Sequence, residues 1–232
     1  MTLEPIAYFK SPFASKFGIP RQSGLVPELR GEIRFADKYR RSEAVRGLDG
    51  FDYIWLIWGF SASRRDPDAA WQPTVRPPRL GGNARLGVFA TRSPFRPNPL
   101  GLSSVRVERI DYGCAGAPVI HVLGADLMDG TPIYDIKPYI PYSDAHPDAA
   151  AGFTDREEWK PLKVSIPDTV RADLELRLGP EGLETLVGVL ALDPRPRYQD
   201  DPGRTYGMPF GGLDIRFKAE AGSLTVTGFD LL

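Results

Sequence analysis

Cysteine and histidine are almost missing from this chain: its 232 residues hold one cysteine, Cys114, and two histidines, His121 and His146. A single cysteine excludes an internal disulfide, and so few soft ligands exclude a structural zinc site or a histidine-rich metal centre. Cys114 follows Gly113 in a turn with no basic partner in sequence, which gives no reason to read it as a nucleophile. His121 lies within an apolar strand and reads as a core residue, while His146 precedes Pro147 in a polar segment. Neither histidine completes a serine triad. No run approaches the ~20 apolar residues of a membrane helix. The opening MTLEPIAYFK lacks the basic-then-apolar layout of a signal peptide, so a soluble, cytoplasmic protein is expected. The common nucleotide-binding loops are missing as well: no G-x-G-x-x-G follows a strand, and there is no G-x-x-x-x-G-K-[ST]. A nucleotide-like cofactor would have to be held in another way.

Lysine is absent where charge is densest. The net charge of −1 hides an asymmetry, because residues 74–110 hold Arg76, Arg79, Arg85, Arg92, Arg96, Arg106 and Arg109 against the lone acid Glu108. That stretch carries +6, leaving −7 elsewhere. Planar guanidinium forks suit phosphates, carboxylates and stacking on bases; a solvated basic face is the plainer reading. The hydrophobic content of 42% is enough to bury the core of one medium domain or of a domain with a small appendage.

The 23 prolines and 24 glycines cut the first 150 residues, and again residues 193–212, into short segments of strand length. Strands are expected at 53–60 (YIWLIWGF), 86–90 and 119–123. Residues 104–108 alternate, with Val105 and Val107 on one face. The clearest alternation is LDIRFKAE at 213–220, with Leu213, Ile215, Phe217 and Ala219 on one face and charges on the other; strand 223–229 follows after Ala-Gly, as in a hairpin. Helical spacing comes late: Leu183, Leu186, Val187 and Leu190 share a face after Pro180 and before Asp193-Pro194, and Val170, Leu174 and Leu178 suggest a second helix. A short helix is expected at 42–46. Strands first and helices late do not make alternating βαβ units. The expected class is mainly β: an antiparallel β-barrel over 1–145, a polar linker at 146–160, and a smaller α+β domain over 161–232.

Four stretches carry candidate chemistry. In RLGVFATRSPFRPNPLG (85–101), Pro94, Pro97 and Pro99 each fix φ and stiffen a loop that holds Arg92, Arg96 and Asn98, whether as a binding loop or as a rigid crossover. In ADLMDGTPIYDIKPYIPY (125–142), Asp129-Gly130-Thr131-Pro132 is a turn whose amides and hydroxyl suit a carboxylate or a ribose. Asp135 and Lys137 flank Ile136 on one strand face, as a polar floor or, more commonly, a surface salt bridge. The Pro/Gly-rich ASKFGIPRQSGL (14–25) could line a ligand with its amides. In LDPRPRYQDDPGRTY (192–206), Arg195, Arg197 and Arg204 with Tyr198 and Tyr206 combine phosphate contacts with stacking surfaces; Asp193, Asp200 and Asp201 could equally neutralise a structural loop.

Taken together and in order, PRQSGL, AVRGLDGFDYIW, PTVRPPRLGGNARLGVFATRSPFRPNPLG, DLMDGTPIYDIKPY, and DPRPRY followed by RTYG resemble the bacterial TrmO family, formerly TsaA- or YaeB-like proteins. The resemblance spans nearly the whole chain. It is most specific over 71–103 and 126–142 and thinner towards the C-terminus. It implies a tRNA N6-methyltransferase that uses S-adenosylmethionine on N6-threonylcarbamoyl-adenosine just 3′ of the anticodon, with an unusual β-barrel, a smaller C-terminal domain and a homodimeric assembly. By position it implies cofactor contacts from Ser23, Gly24, Leu25, Ser61, Ala62, Arg92, Leu102, Asp129, Gly130, Thr131 and Pro132. Ser61-Ala62 stands where relatives carry larger polar residues, and Ser23 where a proline is frequent.

Such a cofactor offers a carboxylate for Arg92, and methyl transfer needs the acceptor nitrogen held ~3–3.5 Å from the methyl carbon. An amide-like acceptor is helped by losing its proton, for which Asp135, Lys137 and Tyr206 are the candidates. Arg96, Arg195, Arg197, Tyr198 and Arg204 are the expected RNA contacts. Two other classes compete: a non-catalytic RNA-binding β module, and an enzyme acting on a free nucleotide, which would show no salt-sensitive affinity for tRNA.

Overall fold

The computed structural model describes residues 2–61, 71–77, 84–156, 160–195, 201 and 203–232. Its N-terminal part is built from β1 (Ala7–Lys10), β2 (Arg30–Phe35), β3 (Tyr53–Gly59), a small pair β4 (Thr74–Val75) and β5 (Leu86–Gly87), then β6 (Leu100–Asp111), β7 (Val119–Leu123) and β8 (Pro132–Pro138). Six of these pair antiparallel in the order β1-β2-β7-β6-β3-β8. Ala7 opposite Ile133 returns the ring to β1, so the sheet closes and leaves no free edge. The apolar run of β3 faces both ways, with Ile54, Leu56 and Trp58 inside. They meet Phe9, Ile33, Ile120, Val122 and Ile133 in one buried cluster.

Residues 86–90, expected as a strand, pair only at Leu86–Gly87; Val88–Ala90 form a 3-10 turn, with the Thr91 hydroxyl and amide both donating to the Val88 carbonyl. Ser42–Val45 is likewise a single 3-10 turn. The polar connection contains the short helix α1 (Pro141–Asp144) and a 3-10 turn at Gly152–Arg156. The Asp144 carboxylate accepts from the Ile140 amide and the Trp55 indole, which hold it below the usual carboxylate range.

The C-terminal part is a four-stranded sheet, in the order β10 (Tyr206–Phe210), β11 (Leu213–Glu220), β12 (Ser223–Leu231), then β9 (Lys163–Ser165), which runs parallel to β12. The β11–β12 hairpin turns at Ala221 and Gly222, both at positive φ. A single helical stretch, α2 (Asp168–Ala191), covers both expected helices; Gly179, at φ 73° and ψ 167°, breaks it, and Pro180 starts the second piece. Both pieces put Leu174, Leu183, Leu186 and Leu190 against the sheet residues Met208, Ile215, Phe217, Leu224 and Val226. Among the described residues no helix is long and apolar enough to cross a membrane.

The core of the C-terminal part is not its own. Phe13, Val26 and Leu29, all from the connection between β1 and β2, are buried in it. Phe13 meets Phe210 edge-on at 5.5 Å, the Gly211 amide donates to the Pro12 carbonyl at 3.1 Å, and Arg30 bonds Glu181. Gly18, at φ 87°, packs so closely on Met208 that a Cβ there would fall 2.3 Å from its sulfur. The two parts are thus joined through segment 12–30.

Candidate functional site

That same connection forms one wall of a cavity of about 550 Å³ at the side of the barrel, within the range of small-molecule sites. Lys16, Ile19, Pro20, Arg21 and Gln22 supply this wall. Trp55, Trp58, Phe60 and Ser61 from β3 and its exit supply a second, residues 92–102 a third, and Asp126, Met128 and Thr131 the floor. The proline-stiffened loop is folded back on itself: Arg96 donates to the Thr91 carbonyl at 3.2 Å, and the Phe60 amide donates to Pro99 at 3.1 Å. Arg92 reaches across to the Gln22 side chain.

Gly101 explains how an indole fits beside a strand. A Cβ there would lie 2.2 Å from Trp58, so only glycine lets the ring lie flat on β6. The Trp58 Nε1 donates to the Ser103 hydroxyl at 2.9 Å, and Ser103, nearly fully buried, donates in turn to Asp126 Oδ1 at 2.6 Å. Burial pushes the Asp126 carboxyl above its ordinary pKa; Ser103, the charge of Arg92 and the Ser23 amide pull the other way without cancelling it.

The turn at 129–132 is clamped from behind. The Asp129 carboxylate accepts from the Ser11 amide at 3.0 Å and from Lys10 at 3.1 Å, while its own amide donates to the Phe13 carbonyl at 2.9 Å. Gly130, at φ 75°, donates to Phe9, and Thr131 is buried with Pro132 opposite Tyr8.

Of the cofactor residues expected from the sequence, Ser61, Arg92, Leu102 and Thr131 line the cavity. Asp129, Gly130 and Pro132 belong to the turn that carries Thr131. Ser23 and Gly24 continue the wall beyond Gln22, with Gly24 at φ 80° donating to the Gly124 carbonyl at 2.8 Å, and Leu25 is exposed. Ala62 lies outside the described residues.

The candidate proton acceptors are elsewhere. Asp135 and Lys137 pair with each other at 3.1 Å on the barrel surface, the commoner of the two readings of that pair. Tyr206 is buried in the C-terminal core, stacked on Phe217. None of the three lines the cavity. Among the expected RNA contacts, Arg96 lines the cavity and Arg204 lies over the Tyr206 ring. Arg195, only 12% exposed, grips Asp193 through two nitrogens and donates to the Ala219 carbonyl, so it ties its loop to β11. Arg197 and Tyr198 lie outside the described residues.

Beside the cavity, and sharing Arg21, Gln22, Arg92 and Pro94 with it, runs a wider groove of about 1370 Å³ edged by Arg76, Arg85, Phe89, Phe95 and Phe153. Phe89 is 71% exposed and Phe95 55%, large apolar faces left open to solvent beside cations. Trp58, Ser103 and Asp126 are the site residues that sequence reasoning missed. The pattern in sequence, an acid at 126 between Ala125 and Leu127, does not by itself tell which side the acid faces.

Residues 8–145 match the tRNA-methyltransferase O N-terminal domain, and residues 159–230 match the TrmO C-terminal domain. The tRNA (adenine(37)-N6)-methyltransferase of Escherichia coli (strain K12) is 41% identical over 234 residues, covering 98% of this chain and 95% of that protein. A Pseudomonas aeruginosa protein, provisionally named an S-adenosylmethionine-dependent methyltransferase, is 40% identical over 222 residues, covering 93% of this chain and 91% of its own. The crystal structure of TrmO from Pseudomonas aeruginosa aligns with a TM-score of 0.78 at 31% identity, over 99% of this chain and 98% of that one.

Proposed function

The chain belongs to the tRNA-methyltransferase O family, and from that premise we propose that it transfers the methyl group of S-adenosylmethionine to tRNA, at N6 of threonylcarbamoyl-adenosine just 3′ of the anticodon. The observation that carries this reading is the convergence of residues from segments 16–22, 92–102 and 126–131 on one cavity of cofactor size. The donor set fits the group. Arg92 and Arg96 offer guanidinium forks for a carboxylate, the buried Thr131 and the turn around Gly130 suit hydroxyls, and Trp58, Phe60 and Leu102 give apolar walls for an adenine. When bound, the cofactor supplies an electrophilic methyl carbon.

The chain's own part is positioning. Because the loop with Pro94, Pro97 and Pro99 and the clamped turn at 129–132 are ordered beforehand, little entropy is lost in holding the two reacting atoms in line. The neighbouring groove shares Arg21, Gln22, Arg92 and Pro94 with the cavity, and its arginines and exposed phenylalanines suit the backbone and the unstacked bases of a tRNA loop. We further propose a cytoplasmic homodimer with a barrel unit over 1–145, a connection over 146–160 and a C-terminal unit over 161–232. The test is transfer of labelled methyl from S-adenosylmethionine to purified tRNA, run with calorimetric titration of the cofactor alone. Cofactor binding and label in the tRNA are expected. Tight RNA binding with no cofactor binding would leave a non-catalytic RNA-binding module instead.

A further inference from the structure

Asp126 is the only acidic side chain among the described residues that line the cavity; the other charged groups facing it are Lys16 and Arg21 from one wall and Arg92 and Arg96 from another. An acid in such a place is costly to bury unless it is held, and it is held: Trp58 and Ser103, both buried, form a relay of donated hydrogen bonds that ends on its Oδ1 at 2.6 Å. Its flanks, Ala125 and Leu127, are buried, while Asp126 itself is half-buried and lines the cavity. A carboxylate held at the floor of the reaction cavity, when the three proton acceptors expected from the sequence, Asp135, Lys137 and Tyr206, lie outside it, calls for a role.

Resting on the methyl-transfer reading above, we infer that the Asp126 carboxylate is the proton acceptor of the reaction, taking the hydrogen of the acceptor nitrogen as the methyl group arrives. The nitrogen is amide-like and carries one hydrogen. Its lone pair forms the new nitrogen–carbon bond while the carbon–sulfur pair returns to sulfur, and the N–H pair stays on nitrogen as the proton passes to an Asp126 oxygen. The proton leaves to water once the methylated base departs. A carboxylate suffices as the base, because the nitrogen gains positive charge as the new bond forms and its proton becomes strongly acidic only then. The raised affinity of this half-buried carboxyl for a proton fits it to the task, since it lies nearer to the working pH than an exposed aspartate would. Ser103 is a positioning residue here: it fixes one oxygen and restrains the upward shift.

The test compares Asp126→Asn with the parent in tRNA methylation, with cofactor affinity and tRNA affinity measured separately. Asparagine keeps the shape and can still accept from Ser103. Turnover should fall by about a hundredfold or more, with both affinities unchanged. The parental rate should decline as pH falls through the Asp126 pKa, because the carboxylate form is the base, and this limb should vanish in Asp126→Asn. Ser103→Ala removes a bond that favours the carboxylate, so it should move the limb to higher pH; this arm stands even where Asp126→Asn fails to fold. Parental turnover in folded Asp126→Asn, a loss confined to cofactor affinity, or an unshifted limb in Ser103→Ala each overturns the inference. Failure of the parental protein itself to methylate tRNA would instead sink the methyl-transfer reading.

Discussion

Phe13 tests how the two parts of the chain depend on each other. Its ring is fully buried in the core of the C-terminal part, edge-on to Phe210, while its carbonyl accepts from the Asp129 amide in the turn that floors the cavity. Truncation to alanine removes a ring from a close-packed site and leaves a cavity, a change that costs about 3–5 kcal/mol. For a chain of this size each kcal/mol lowers Tm by roughly 2–4 °C, so Phe13→Ala should melt about 6–20 °C below the parent. The backbone bond from the Asp129 amide to residue 13 remains, but the segment leading into the wall at 16–22 loses its ring anchor in the C-terminal core, so S-adenosylmethionine should bind more weakly although Phe13 does not line the cavity. The assay is thermal unfolding followed by far-ultraviolet circular dichroism and by tryptophan fluorescence in a Trp71→Phe, Trp159→Phe background, where the remaining reporters Trp55 and Trp58 belong to the barrel, together with calorimetric titration of the cofactor. One shared transition, shifted in both signals, is expected. If the tryptophan signal melted at the parental temperature, with parental cofactor affinity, the barrel would not rely on the C-terminal core and the reasoning would fail.

Arg92→Ala should weaken cofactor binding by about 1.5–3 kcal/mol, the cost of a charged hydrogen bond, measured by calorimetry, and unchanged affinity would remove it from the site. Gly101→Ala would set a methyl group 2.2 Å from Trp58, so the indole must leave Ser103; overpacking of this kind costs about 1–3 kcal/mol and should appear as a shift in tryptophan emission with weaker cofactor binding. Phe89→Ala and Phe95→Ala should each lower tRNA affinity by about 1–3 kcal/mol if bases stack there, read by filter binding with cofactor affinity as the control. Raising salt should lower tRNA affinity with a slope of several released ions while cofactor binding changes little; a flat response would refute phosphate recognition by the arginine-rich stretch.

The strands that alternate or form apolar runs were legible because a single period decides them: β3, β7 and β11 fall where their patterns put them. Val88–Ala90 misled, since β-branched and aromatic residues suggest a strand, yet the Thr91 hydroxyl and amide close a turn on the Val88 carbonyl. The loop segments of the cavity were legible through their prolines and the Asp-Gly turn. Asp126 was not, because an acid between two apolar residues gives no sign of which side it faces until the barrel closes. The shared core was hidden for a related reason. Phe13, Val26 and Leu29 sit in a Pro/Gly-rich stretch without periodicity, and only the tertiary arrangement shows that they belong with α2 and β10 rather than with the barrel. For the loop at 192–206 the sequence left two readings open, RNA contacts or a structural loop neutralised by its own acids, and at Arg195 the bond to Asp193 follows the second.

The most direct test of the account is mass spectrometry of nucleosides from tRNA incubated with the purified protein and S-adenosylmethionine. One tRNA should carry threonylcarbamoyl-adenosine beside the anticodon, and an otherwise identical one plain adenosine there. The account predicts a gain of one methyl group on threonylcarbamoyl-adenosine and on no other nucleoside, and no gain in the tRNA that lacks the modification. Methylation of plain adenosine at that position, or of a different nucleoside, would contradict it.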